Sequence, residues 1–200
     1  MAVVINGSGT VTGLAVGGLP DGVVDAGTLA TNSVDSAELI DGSIDTAHIG
    51  TDQITSAIMP AGSVLQVVHS AYQTAYYNAN SSSRTDISGF AATITPISTS
   101  SKVLIIVHAS MYLQCDGRLG IARDGTSIYE NFLGTVRDQE ENDQDTGAGT
   151  YLDSPSSDSA VVYQMYTIVS GCGNDVYINR SDAGSTENGR SGITLMEIAG

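Results

Sequence analysis

The chain is 200 residues long, with seven Lys and Arg against 22 Asp and Glu and a net charge of −15. Phosphate-rich partners want a basic stripe, so this balance excludes nucleic acid as a charge-driven partner, and anionic membranes with it. No apolar run approaches the roughly 18 residues that mark a spanning helix, so no membrane insertion is expected.

The start, MAVVINGSGTVTGLAVGGLPDG, lacks a charged leader followed by a long apolar core and is not expected to be a signal peptide. Ala2 to Ile5 and Thr10 to Thr12 read as two short strands around Asn6-Gly7-Ser8-Gly9, a hairpin signal. The glycines at 7, 9, 13, 17 and 18 do not form a dinucleotide fingerprint, because no helical pattern follows them and Pro20 comes soon after. Residues 1–13 are read as an attachment segment.

From Leu14 to Met59 a large apolar residue falls at every fifth position: Leu14, Leu19, Val24, Leu29, Val34, Leu39, Ile44, Ile49, Ile54 and Met59. The underlying unit is ten residues long, clearest in VDSAEL (34–39), IDTAHI (44–49) and ITSAIM (54–59). A period of five suits neither a helix nor a coiled coil, and in a strand it throws successive apolar residues onto opposite faces. Each unit must therefore change direction within itself. A short extended piece followed by about one helical turn is expected, with Asp35-Ser36-Ala37-Glu38 in the form of a capping box and Asp45 repeating the cap. Ten apolar side chains cannot offset the ordering entropy of residues 14–59 in a lone ribbon. Two outcomes remain: a disordered linker, or a stem in which several copies of the chain wrap a common axis and bury the ladder between them. The strict register favours the stem. Residues 1–60 hold seven acids and no Lys or Arg, which suits a solvated outer face.

Met59-Pro60-Ala61-Gly62 ends the stem, and period-two patterns take over. Strands are expected at 63–70, 85–95, 102–113, 118–123, 126–133, 160–170, 175–179 and 192–198, with Arg123-Asp124-Gly125-Thr126 as the strongest turn. This pattern over residues 60–200 predicts a mostly β chain ending in an antiparallel β-sandwich head, jelly-roll-like. The expected core is Val64, Val67, Phe90, Ile94, Leu104, Ile106, Val107, Met111, Leu119, Ile121, Val162, Tyr166, Ile168, Val176, Ile178 and Leu195. Cys115 and Cys172 lie far apart in sequence, and a disulfide and two buried thiols both stay open.

Chemical signatures are missing. There is no Gly-x-Ser-x-Gly, no phosphate-cradling loop and no helical His-Glu-x-x-His, so no catalytic residue and no cofactor is expected and the chain is read as non-enzymatic. His48 occupies the place of Glu38 in the preceding unit and is expected at the surface or against a neighbouring chain. His69 and His108 sit in predicted strands, outside any zinc spacing, and read as satisfied imidazoles rather than metal ligands. The one dense acidic run, Asp138 to Asp145, reads as a solvated loop, with calcium binding or ligand contact as the alternative. Binding is expected on loops, where exposed Tyr, Asn and Gln offer adaptable contacts. The candidates are Tyr72, Tyr76 and Tyr77, then Asn142, Asp143 and Asp145, then Tyr151.

The opening VVINGSGTVTGLAVGGLPDG, the units VDSAEL and IDTAHI, the junction MPAGSVLQVV, and ITPISTSSKVLIIV with the hairpin IARDGTSIYE resemble tail-fibre and related structural proteins of tailed phages, particularly marine and cyanobacterial ones. The resemblance covers essentially the whole chain. It implies a homotrimer located on the virion and assembled in the host cytoplasm. Its N-terminal segment would bind other virion proteins, and its stem would be intertwined. Its head, similar to the tumour-necrosis-factor-type jelly roll, would contact a host-surface glycan or protein. A structural adaptor or capsid decoration fibre is the alternative, and a glycan-degrading spike a weaker one. Replacing Ile44 and Ile54 together by Asp places charges in the stem seam. The expected result is a shift toward monomer in sedimentation. A native chain that already sediments as a monomer contradicts the stem.

Overall fold

The computed structural model describes residues 4–5, 11–12, 15, 19, 24, 27, 29, 31, 33–34, 39, 42, 44–45, 47–51, 53–79, 81–113, 116–133, 145–170, 175–180 and 189–200. The chain divides into two units, Met1–Ile54 and Thr55–Gly200, the boundary lying ahead of the one expected after Met59.

In the first unit β1 (Val4–Ile5) pairs antiparallel with β2 (Val11–Thr12), in the place of the expected hairpin. Further on, the His48 amide bonds to the Asp45 carbonyl at 3.1 Å and the Gln53 amide to the Gly50 carbonyl at 3.3 Å. These turns start five residues apart, so the conformational repeat is half the ten-residue unit of the sequence. Asp45 Oδ1 caps its turn, accepting from the Ala47 amide at 2.9 Å and meeting His48 Nδ1 at 2.8 Å. The contact with His48 and the amide bonds hold the Asp45 carboxyl below its ordinary value. The expected capping box at 35–38 and Leu14 lie outside the described residues. Leu19, Val24, Leu29, Val34, Leu39, Ile44, Ile49 and Ile54 are exposed, between 40% and 57%, in the single chain.

The second unit begins with a 3-10 turn (Ser56–Ile58) and continues as ten strands: β3 (Val64–Tyr72), β4 (Tyr76–Ala79), β5 (Thr85–Ile94), β6 (Lys102–Leu113), β7 (Asp116–Arg123), β8 (Thr126–Leu133), β9 (Asp145–Asp153), β10 (Val161–Ser170), β11 (Asp175–Ile178) and β12 (Ser191–Ile198). One sheet has the order β5-β10-β7-β8; the other runs β3-β12-β6-β11-β4, with β9 also on β6. β12 pairs residues 102–108 of β6 and β11 pairs 111–113, while β9 pairs 103–111. Residues flanked by both β12 and β9 show that β9 takes the opposite edge. β11 and β12 thus share one lane, and β3 and β4, which pair with them in turn, share the next. Counted in chain order, the eight lanes lie as 1-8-3-6 against 2-7-4-5. That is the two-Greek-key order of a jelly roll.

Asn179 holds the break in the shared lane. It adopts the left-handed region (φ 57°), which Asn tolerates. Its amide bonds to the Ser110 carbonyl at 2.9 Å, and its Nδ2 donates to the carbonyls of Tyr72 (2.9 Å) and Thr74 (3.3 Å). Ser191 Oγ donates to Asn179 Oδ1 at 2.7 Å and accepts from the Ser110 amide.

All eight expected strands are present within two residues of their predicted ends. Two further strands, β4 and β9, were expected as loop. β9 has no inward apolar alternation because Gly147 and Gly149 occupy inward positions. A side chain there would strike Met111 at the first and Phe132 and Leu133 at the second, so neighbouring side chains fill the space. The core also differs. Phe90, Ile94, Val107, Met111, Leu119, Ile121, Tyr166, Val176, Ile178 and Leu195 are buried as expected, but Val64, Val67 and Val162 are exposed, and Leu104, Ile106 and Ile168 are half-buried. On β6 the inward set is Val103, Ile105 and Val107, all 0% exposed.

A buried clamp joins the two sheets at the end where β3 begins. Arg123 Nη1 reaches both oxygens of Asp153, at 3.0 and 2.8 Å, and the Tyr163 hydroxyl donates to Asp153 Oδ2 at 2.7 Å. Burial and the adjoining carboxylate push the Tyr163 hydroxyl well above the ordinary tyrosine value, so it stays a donor. Tyr163→Phe is expected to cost about 2 kcal/mol, the worth of a hydrogen bond to a charged group. Asp153→Ala should cost more, roughly 3 kcal/mol, because it strands the buried Tyr163 hydroxyl and also removes the partner of the half-buried Arg123. Urea denaturation checks both.

Glu197, fully buried, closes the same end: Oε2 accepts from Gln66 Nε2 at 2.6 Å and Oε1 from the Ile97 amide at 2.7 Å. Burial pushes its carboxyl up, but these donors, with the Ser101 hydroxyl and the Ser98 amide, outweigh it and hold the group below the ordinary value of 4.5. A lowered folded-state value stabilises the fold above the unfolded one, and that stability is lost as pH falls through it. Stability should therefore fall as pH drops below about 4.5, and Glu197→Gln, less stable at neutral pH, should show a flatter acid limb in thermal melts.

Candidate functional site

β6 sits in mid-sheet with a paired strand on each edge, and its run Val103-Leu104-Ile105-Ile106-Val107 is apolar on both faces. With the odd positions filling the core, the even ones lie on the outward face, and register extends them into cross-strand rungs. The first is Val67–Met196–Leu104–Leu152, running from β3 through β12 and β6 to β9. Val67 and Leu152 are 53% and 49% exposed; Met196 and Leu104 are half-buried. The second rung is His69–Thr194–Ile106–Thr150, and the third Ala71–Gly192–His108–Ala148. These three rungs contain no Asp, Glu, Lys or Arg. Beyond them Tyr77, Tyr177 and Tyr112 form a fourth rung across β4, β11 and β6, their rings 5.0 and 5.6 Å apart. Arg180 covers it, 5.6 Å from the Tyr77 ring and 5.1 Å from Tyr177.

Strand direction sorts the connections into two ends. Val64, Ile94, Lys102, the turn Asp124-Gly125, Asp153, Val161 and Ile198 lie at the near end. Ala79 and Thr85, Leu113 and Asp116, Leu133 and Asp145, and Ser170 and Asp175 lie at the far end. The strand ends that flank 80–84, 114–115, 134–144 and 171–174 therefore gather at the far end.

The loop candidates divide accordingly. Tyr72 is 4% exposed and its ring stacks on Phe90 at 4.8 Å, so it serves the core and offers no outside contact. Tyr76 is half-buried, its hydroxyl 3.2 Å from Thr167 Oγ1, and burial raises the value of that hydroxyl. Tyr77, 46% exposed, belongs to the outward tyrosine rung. Asn142 and Asp143 lie outside the described residues, and Asp145 begins β9 rather than ending a loop. Tyr151 faces inward, packs against the core and stacks with Tyr129 at 5.6 Å. The outward face is missed in sequence because its apolar centre, Val67, Leu104 and Ile106, reads as core.

Other features give little chemistry. Among the described residues no three His, Cys, Asp or Glu come together as a metal site. A cleft of about 380 Å³ at the near end is lined by serines and small apolar groups from Ser56 to Gly200, with no acid or base among them. No helix among the described residues is long and apolar enough to cross a membrane.

No protein-family model matches the chain. No curated protein matches it either. Among solved structures it is similar to the crystal structure of the infectious bursal disease virus VP2 subviral particle, at 9% identity and a TM-score of 0.36, over 67% of this chain and 37% of that one. The chain thus matches a little over a third of the length of that protein.

Proposed function

We propose that the chain is a non-enzymatic structural subunit of a virion, a homotrimeric fibre protein whose stem and head both associate with their own copies. The observation that carries this reading is the uncharged, partly apolar outward face of the β6 sheet in a chain of net charge −15. Copies so strongly alike in charge repel one another except where carboxylates are missing. The exposed ladder, with turns five residues apart, supports the same reading for the stem. The number three comes from the resemblance to tail fibres. The far-end connections, which include the acidic run, are the surface we assign to the host glycan or protein, and the N-terminal segment to other virion proteins. Three weak sites held together would gain affinity through effective concentration.

Val67→Asp combined with Leu104→Asp places charges at the centre of the face. Self-association in sedimentation equilibrium should weaken by about tenfold or more while the circular dichroism spectrum is kept. Labelled full-length protein should bind whole susceptible cells. Binding to isolated virions without binding to cells would replace host adsorption by an adaptor or decoration role, and cleavage of surface polysaccharide would overturn the non-enzymatic reading.

A further inference from the structure

Two of the chain's three histidines converge on the outward face. His69 on β3 and His108 on β6 flank Gly192 on β12. A Cβ built on that glycine would stand 2.9 Å from His69 Cε1 and 2.8 Å from His108 Cε1. The rings thus share the space above one glycine, and any side chain there would displace them. His69 is oriented by a 2.9 Å contact between its Nδ1 and Thr194 Oγ1. Around the pair, β3 contributes Val67 and Ala71, β12 Thr194, β6 Ile106 and Ser110, and β9 Ala148 and Thr150. None of these is titratable. The cations nearest the pair in sequence are Lys102, six residues before His108 on β6, and the exposed Arg190, two residues before Gly192.

We propose that the His69–His108 pair is a proton-operated release on self-association of the heads. This rests on the self-association reading above. An imidazole changes charge near pH 6.5, and a covered face desolvates it. At neutral pH two uncharged rings can be buried between copies. Protonated, the pair would carry two like charges with no carboxylate on the surrounding rungs to pair with, and a dry contact cannot hold them. Protons therefore bind more tightly to separated heads, and acid favours separation.

Full-length protein tests this by sedimentation equilibrium and by binding of an apolar-surface dye, from about pH 7.5 to about pH 5.5. In the native chain the dye signal should rise several-fold on acidification, and the midpoint concentration for association should rise at least about tenfold. His69→Gln with His108→Gln keeps polar, uncharged groups and should hold both within about twofold. Each single variant should fall between, and melting temperature at neutral pH confirms folding. Equal acid response in native and double-variant chains would overturn the proposal while leaving self-association standing, as would a native chain indifferent to pH. A monomer at neutral pH would remove the self-association reading itself, and the proposal with it.

Discussion

A strand in the middle of an antiparallel sheet has two faces, and over residues 103–107 β6 is apolar on both. Val103, Ile105 and Val107 fill the core between the sheets; Leu104 and Ile106 stand on the other side with only their rung neighbours to shield them. The jelly-roll order makes this matter. It places β6 third of the lanes and inside its sheet, so its outward side chains come to the centre of a face rather than to a rim. A core of inward side chains dries one side of such a strand by folding. The other side, where Leu104 and Ile106 stay half-buried, is the apolar patch on which the proposed self-association rests.

The head's polar investment lies at the opposite end from its variable-length connections. Near the start of β3, Asp153 gathers Arg123 and Tyr163, and Glu197 gathers Gln66 and the Ile97 amide. Buried carboxylates with satisfied lone pairs fix the spacing of strands from both sheets at that end. The far end is built differently: Asn78 Nδ2 meets Thr167 Oγ1 at 2.8 Å, neutral to neutral, and the connections beyond are rich in Gly, Ser, Asn and Asp. Among the described residues of the head, the strong, charge-assisted hydrogen bonds of buried carboxylates thus gather at the near end.

Strand positions were legible because turn residues and period-two patterns punctuate the chain, and the AspGly turn at 124–125 sits where its dipeptide said it would, both residues at positive φ. The facing of β6 was not legible: with five apolar residues in succession, alternation cannot say which are inside. Taking Leu104, Ile106 and Val67 for core concealed the outward apolar face. β9 was hidden for the opposite reason, since glycine at 147 and 149 leaves its inner face blank in sequence while Met111 and Phe132 fill it in space. Tyr72 read as a loop aromatic because nothing in its neighbourhood pointed to Phe90, a partner brought to it only by packing of β3 on β5. The five-residue apolar ladder is visible directly in the sequence, and the turns at Asp45 and Gly50 start at the same interval.

Charge completes the account of how such a chain could choose its partner surfaces. Seven of its 22 acids fall before residue 61, where no base offsets them, and five more lie between 138 and 145. The acidic stretches 1–60 and 138–145 therefore repel their own copies, while the three central rungs of the sheet carry no Asp, Glu, Lys or Arg. At physiological ionic strength such repulsion reaches only about 8 Å, so it acts on close approach and leaves distant encounters unaffected. Its effect is selective: an approach that brings acidic stretches together is disfavoured, whereas one between uncharged rungs is not. Repulsion at the wrong contacts narrows the choice as surely as attraction at the right one. A modest apolar face can then suffice, because most competing arrangements are already disfavoured.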